Sequence, residues 1–208
     1  MPLRSRLFDA FAARPRPPAA RIVRSGTAVS GDRLRKALGE LGVDDITVDV
    51  VRTVFEGHLW MLTPEAFLYY LPALMDSSLT SYQAVSVFAS ELIGSLTQPS
   101  RADVEESLDR LQQLPPTAGL RDPRTADLLR EQQLEWFDSG TPTKIFHDRF
   151  DDVSATEGAA ILTFLEAFRD QHGADFPFDE LDTAIERYWA RFRSSELPQS
   201  SGDEPPAQ

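Results

Sequence analysis

The tripeptide Thr63-Pro64-Glu65, set inside a run of aromatic and aliphatic residues from Phe55 to Met75, constrains this chain more than any other feature. A threonine side chain accepts from the orphan N–H groups of a helix start, and a proline just inside loses nothing by lacking its own N–H. Glutamate in the first turn meets the positive end of the helix dipole. A buried helix therefore begins at residue 63. Pro72 lies within its apparent span and predicts a kink or break near Tyr70-Leu71.

The rest of the chain carries the same periodicity. Leu34, Leu38 and Leu41 recur at helical spacing behind Ser30-Gly31-Asp32, with Gly42 closing the turn. Val48, Val51, Phe55 and Leu59 make a second stripe. Ala84, Val85, Phe88, Leu92 and Leu96 make another, with Ser78 or Ser81 as its cap. Ser100 and Asp103 open a helix buried through Val104, Leu108 and Leu111, with Glu106 and Arg110 paired on its wet side. Pro115-Pro116 ends it. Asp122-Pro123 starts a helix that stops at Gly140. Residues 141–153 read as a short helix or an ordered loop. Ser154 and Glu157 form a capping box ahead of an apolar helix that ends at Gly173. Leu181, Ile185, Tyr188 and Phe192 complete the pattern.

Strand signals are poor, so the expected fold is all-α: one compact domain of about eight helices over residues 1–193. Residues 194–208 are rich in Pro, Ser, Gly and Asp and read as a disordered tail.

Composition narrows function mainly by exclusion. The chain has 208 residues, no cysteine and a formal net charge of −12. Disulfides, thiolate nucleophiles and Cys-ligated metals are absent. Six of the 21 basic residues fall in the first 24 positions, with a single acid, Asp9. The body beyond them is strongly acidic, which disfavours nucleic acid as a partner. No apolar run approaches the roughly 18 residues of a membrane helix, and the first residues lack the apolar core of a signal peptide. A cytoplasmic protein that engages no membrane is the expectation. Only two lysines occur, Lys36 and Lys144, a bias that suggests a GC-rich bacterial genome.

Motifs for chemistry are sparse. There is no Gly-x-Ser-x-Gly elbow, P-loop or Gly-x-Gly-x-x-Gly. The segment His147 to Asp152 offers imidazole and carboxylates to a divalent ion through His147, Asp151 and Asp152, yet nothing in the spacing fixes further ligands. His58 sits beside the aromatic cluster and reads as a packed, hydrogen-bonded side chain. Adjacent carboxylates (Asp44-Asp45, Glu105-Glu106, Asp151-Asp152, Asp179-Glu180) read as helix faces and caps. Trp60, Phe67, Tyr69, Tyr70 and Tyr82 line either a ligand pocket or a core with a partly exposed rim.

The stretch from Leu62 through Thr63-Pro64-Glu65 to Tyr69-Tyr70-Leu71-Pro72-Ala73 resembles a motif of a family of small uncharacterised bacterial helical proteins. Ala10 to Pro18 and the segment Phe150 to Phe168 are similar to that family in the same order. The resemblance implies a small helical domain without an assigned activity. Some members look like companions of interbacterial toxins.

The leading expectation is thus a non-enzymatic, acidic interaction domain of the immunity or antitoxin kind, binding another protein of basic character. Glu56, Trp60, Glu65, Tyr69 and Asp76 form its expected contact set. This reading names no catalytic residue, cofactor or metal ligand, and it leaves the oligomeric state open. Two alternatives stand beside it. One is a metal-dependent hydrolase at His147, Asp151 and Asp152. The other is a small-molecule-binding domain with a pocket near Trp60 and Tyr69.

Overall fold

A computed structural model describes residues 2–26, 28–113 and 123–193. Ten α-helices lie among them: α1 (Leu3–Phe11), α2 (Ala28–Leu38), α3 (Val48–Val50), α4 (Pro64–Thr80), α5 (Tyr82–Leu96), α6 (Arg101–Gln113), α7 (Pro123–Asp138), α8 (Thr141–Phe150), α9 (Ala155–His172) and α10 (Glu180–Arg187). No strand occurs among the described residues, where the one extended pairing is an isolated antiparallel bridge between Val23 and Leu62. The fold is all-α, with two more helices than the eight expected: α1, where no helix was read from the sequence, and α8, in the stretch read as a short helix or an ordered loop. The double proline at 115–116 and the expected tail lie outside the described residues.

Helix α4 is central. Thr63 Oγ1 accepts from Ala66 N at 3.2 Å and donates to Arg21 O at 2.6 Å. The cap therefore starts the helix and ties it to the N-terminal segment. Thr63→Ala is expected to lower stability by about 0.5–2 kcal/mol, the usual cost of a lost cap. A denaturant melt that shows no loss would contradict that role.

The break expected at Pro72 does not occur. Helix α4 runs unbroken from Pro64 to Thr80 with the proline inside it. Residues 70–75 are all buried, and α4 packs against α1, α5 and α8. Tertiary packing on every side overrides the local penalty.

Three other local expectations are corrected. The Val48–Leu59 stripe is not one helix. After α3 the chain widens into a π-turn, Val51–Phe55, closed by Glu56 N on Val51 O at 3.0 Å, and Gly57 then turns with φ 76°. Neither Ser78 nor Ser81 caps α5 with its side chain: Ser78 is buried in α4 and donates to Leu74 O. The last stripe breaks at Tyr188 (φ −139°), and Trp189–Phe192 continue as a 3₁₀ turn. The capping box forms in full, with Glu157 N on Ser154 Oγ at 3.2 Å and Ser154 N on Glu157 Oε2 at 2.8 Å.

A single core joins Leu7 near the start to Trp189 near the end. Buried helix ends there need partners for their last carbonyls, and aromatic side chains supply them. The Tyr70 hydroxyl lies 3.1 and 3.0 Å from Leu38 O and Leu41 O at the end of α2. Trp189 Nε1 donates to Leu96 O at 2.7 Å at the end of α5. Tyr188 donates to Phe150 O at 3.1 Å at the end of α8. Burial pushes the Tyr70 hydroxyl up to about 12, so it remains a donor at any physiological pH.

The final 3₁₀ turn packs tightly onto α9 at Gly158. A Cβ built there would lie 2.3 Å from the Phe192 ring, so this glycine lets the final turn seat on the helix.

Candidate functional site

A cleft of about 670 Å³ opens where the α6–α7 pair meets the body of the fold. Each wall follows from local structure. After Gly57 the chain makes a 3₁₀ turn, Leu59–Met61, that buries Leu59 and Met61 and turns Trp60 outward, 57% exposed. Two anchors hold that turn. The Glu91 carboxylate, from α5, accepts from Gly57 N at 2.7 Å and Leu59 N at 3.1 Å. Arg149, from α8, donates through Nη2 to Leu59 O at 2.8 Å. Trp60 is steadied by its own Nε1 on Gly57 O at 3.2 Å.

Opposite stand Trp136, 49% exposed, and Phe137 on α7, with Pro142, Ile145 and Phe146 from α8. Gly94 lines the cleft from α5, and a Cβ there would meet nothing within 4 Å. A glycine inside a helix costs about 1 kcal/mol relative to alanine. No packing contact requires this one, and its effect is to keep the cleft open.

Two arginines, Arg24 and Arg149, join a lining that is mostly apolar, its other polar side chains being Ser25, Ser95 and Thr97. Arg24 enters because the Val23–Leu62 bridge pins its backbone, with its N–H on Met61 O at 2.8 Å and its Nε on Leu62 O at 2.9 Å. Arg149 enters because it shares the buried side of α8 with Pro142, Phe146 and Phe150. Its guanidinium carbon sits 4.4 Å from the Phe67 ring centroid, a cation–π contact. Burial first, and then the charge of Arg24, push Arg149 down to about 10, with Glu91 acting the other way. It is still charged at neutral pH.

The residues singled out from sequence fall in different places. Trp60 lines the cleft. Tyr69 lines a separate cavity beside Arg14, Arg16 and Val43, so a pocket shared by Trp60 and Tyr69 does not form. Phe67, Tyr70 and Tyr82 belong to the core. Glu65 pairs with Arg21 at 3.2 Å, and Asp76 pairs with Arg4 at 3.7 Å. Glu56 is half-buried, and its carbonyl lies 2.9 Å from His58 Nδ1. The expected acidic contact set is therefore partly spent on the chain's own arginines.

His147 Nδ1 meets Asp151 Oδ1 at 2.8 Å one turn apart on the outer side of α8. Asp152 is exposed, and its carbonyl accepts from Arg14. Among the described residues no three His, Asp or Glu side chains group closely enough to hold a metal ion.

Sequence reasoning missed Arg24, Trp136 and Arg149. For Arg149 a signal existed: Phe146, Arg149 and Phe150 sit at i, i+3 and i+4, which places an arginine on an apolar helix face.

No protein-family model, curated protein or solved structure matches the chain. Its function is argued from the site alone. No helix among the described residues is long and apolar enough to cross a membrane.

Proposed function

We propose that the protein is a non-enzymatic binding domain that holds an apolar small molecule in the Trp60–Trp136 cleft. The observation that carries this reading is two half-exposed tryptophans on one cleft whose volume falls within the range of ligand sites, about 300–1,000 Å³. An aromatic ring left in water beside an apolar hollow gains by covering a ligand. The open space at Gly94 supports the same reading. A partner-protein role of the immunity kind draws on the net charge of −12, but two of its three acids are already paired within the chain. A hydrolase role draws on His147 and Asp151, which have no third His, Asp or Glu converging on them among the described residues.

Titration with 1-octanol, followed by tryptophan fluorescence, tests the proposal. Saturable change is expected, and Gly94→Leu, which fills the cleft from α5, should abolish it. The same variant should melt no lower than the wild type, since leucine is a better helix former than glycine by several tenths of a kcal/mol or about 1 kcal/mol. A wild type that shows no saturable response to 1-octanol or to a charged octyl analogue, or a Gly94→Leu variant that binds normally, would contradict the reading.

A further inference from the structure

Arg149 is a charge buried without a counter-charge. It is 4% exposed. Within the described residues its one hydrogen bond is from Nη2 to the Leu59 carbonyl, and Nε is buried without a partner. No carboxylate among them lies within ion-pair distance of it. Glu91 is the acid that influences it, and both Glu91 oxygens are engaged by the Gly57 and Leu59 amides. Arg14 shows what this chain does elsewhere with a guanidinium drawn inward. Its Nε and Nη2 meet the two oxygens of Glu157 at 2.6 and 2.9 Å. A cation removed from water is costly unless it is paired. In a chain with 33 acidic residues, a cation set in a cleft wall beside a second guanidinium, and left without an acid, is a counter-charge waiting for a ligand.

We infer that the cleft binds a monocarboxylate with an apolar body, its carboxylate on Arg149 and its body against Trp60 and Trp136. The inference rests on the binding reading above and names the ligand class. A bare inorganic anion would leave most of the cleft unfilled, since the cleft holds the volume of roughly twenty waters at about 30 Å³ each. Away from the arginines the lining is mostly apolar, with the hydroxyl residues Ser25, Ser95 and Thr97 but no charged side chain, so a second charged group on the ligand would find no counter-charge. Guanidinium groups favour flat oxyanions, and a hydrogen bond to a charged acceptor is about twice as strong as a neutral one. Arg24, on the same wall, adds attraction for the anion without having to touch it.

The test compares octanoate, octyl phosphate and 1-octanol at neutral pH, by titration calorimetry on the full chain. Octanoate should bind wild-type protein at least about tenfold tighter than octanol, the gain expected of one charge-assisted hydrogen bond in a dry site. Arg149→Met keeps a long apolar side chain and removes the charge. In that variant the octanoate preference should vanish or reverse while octanol binds as before. Equal affinity for octanoate and octanol in the wild type would overturn the inference and leave the binding reading intact. So would a tenfold preference for octyl phosphate, or a preference for octanoate that survives in Arg149→Met. If none of the three ligands binds, the binding reading fails and the inference fails with it. The wild-type comparison decides the matter even if Arg149→Met does not fold.

Discussion

Phe168→Ala is expected to cost about 3–5 kcal/mol of stability, the range for deleting a fully buried aromatic ring. Phe168 has no exposed surface. Its ring meets Tyr82 of α5 at 5.6 Å, Phe164 of α9 at 5.6 Å and Phe176 at 5.6 Å, with His172 at 4.9 Å. The residue therefore ties α9 to α5 and to the turn that leads into α10. Tilted and edge-on ring pairs add to the burial term, and a cavity between α5, α9 and the Phe176 turn cannot close without moving one of them. Urea denaturation checks this through the midpoint shift. A loss below about 1 kcal/mol would place Phe168 outside the packed core, since only exposed positions tolerate substitution so cheaply.

Glu157→Gln should be the next most damaging change, by about 2–3 kcal/mol near neutral pH. Breaking a buried pair by removing one partner costs about 3–5 kcal/mol, and the expectation is reduced because a quarter of the Arg14 side chain faces water. The Glu157 carboxylate accepts both Arg14 donors and the Ser154 amide. Burial alone would raise its pKa, but the Arg14 and Ser154 hydrogen bonds outweigh burial and hold it below the ordinary value. A carboxyl lowered in the folded state contributes stability above its unfolded pKa, about 4.3, and that stability is lost as pH falls through the folded value. The gap between wild type and Glu157→Gln should thus be constant from about pH 6 to 8 and narrow below about pH 4. Urea melts of both proteins across that range test it. A gap that widens in acid would reverse the sign and contradict the pairing.

The caps were legible because their physics is local. Thr63 and the Ser154/Glu157 box need only a short polar side chain and the next turn of backbone. The passage of α4 through Pro72 was not legible, because it depends on burial against three other helices. Nor was the helix break at Tyr188, whose hydroxyl must reach Phe150 O while the neighbouring Trp189 indole reaches Leu96 O. Periodicity reports which side of a helix is apolar, and it does not report where distant chain ends demand a donor.

The cleft divides in the same way. Trp60 stood out in an aromatic run, but Arg24, Trp136 and Arg149 come from three separated segments that only the tertiary fold brings together. Arg149 was hidden by its setting. The acids and histidine around it suggest a metal-binding segment, whereas helical geometry turns His147 and Asp151 outward and Arg149 inward. The pairing of two acids of the expected contact set was hidden for a similar reason. Arg4 and Arg21, in the basic N-terminal stretch, fold back onto Asp76 and Glu65. The charge asymmetry along the chain is thereby partly cancelled in space.

The tryptophan indole N–H resonances of the protein, followed by nuclear magnetic resonance during an octanoate titration, test the central claim most directly. The chain has three tryptophans. Trp60 and Trp136 line the cleft, while Trp189 is fully buried with its indole N–H held on Leu96 O. Binding in the cleft predicts that the Trp60 and Trp136 signals move together along one saturating curve while the Trp189 signal stays in place. Signals for Trp60 and Trp136 that stay put through the titration, or that move with different midpoints, would contradict it.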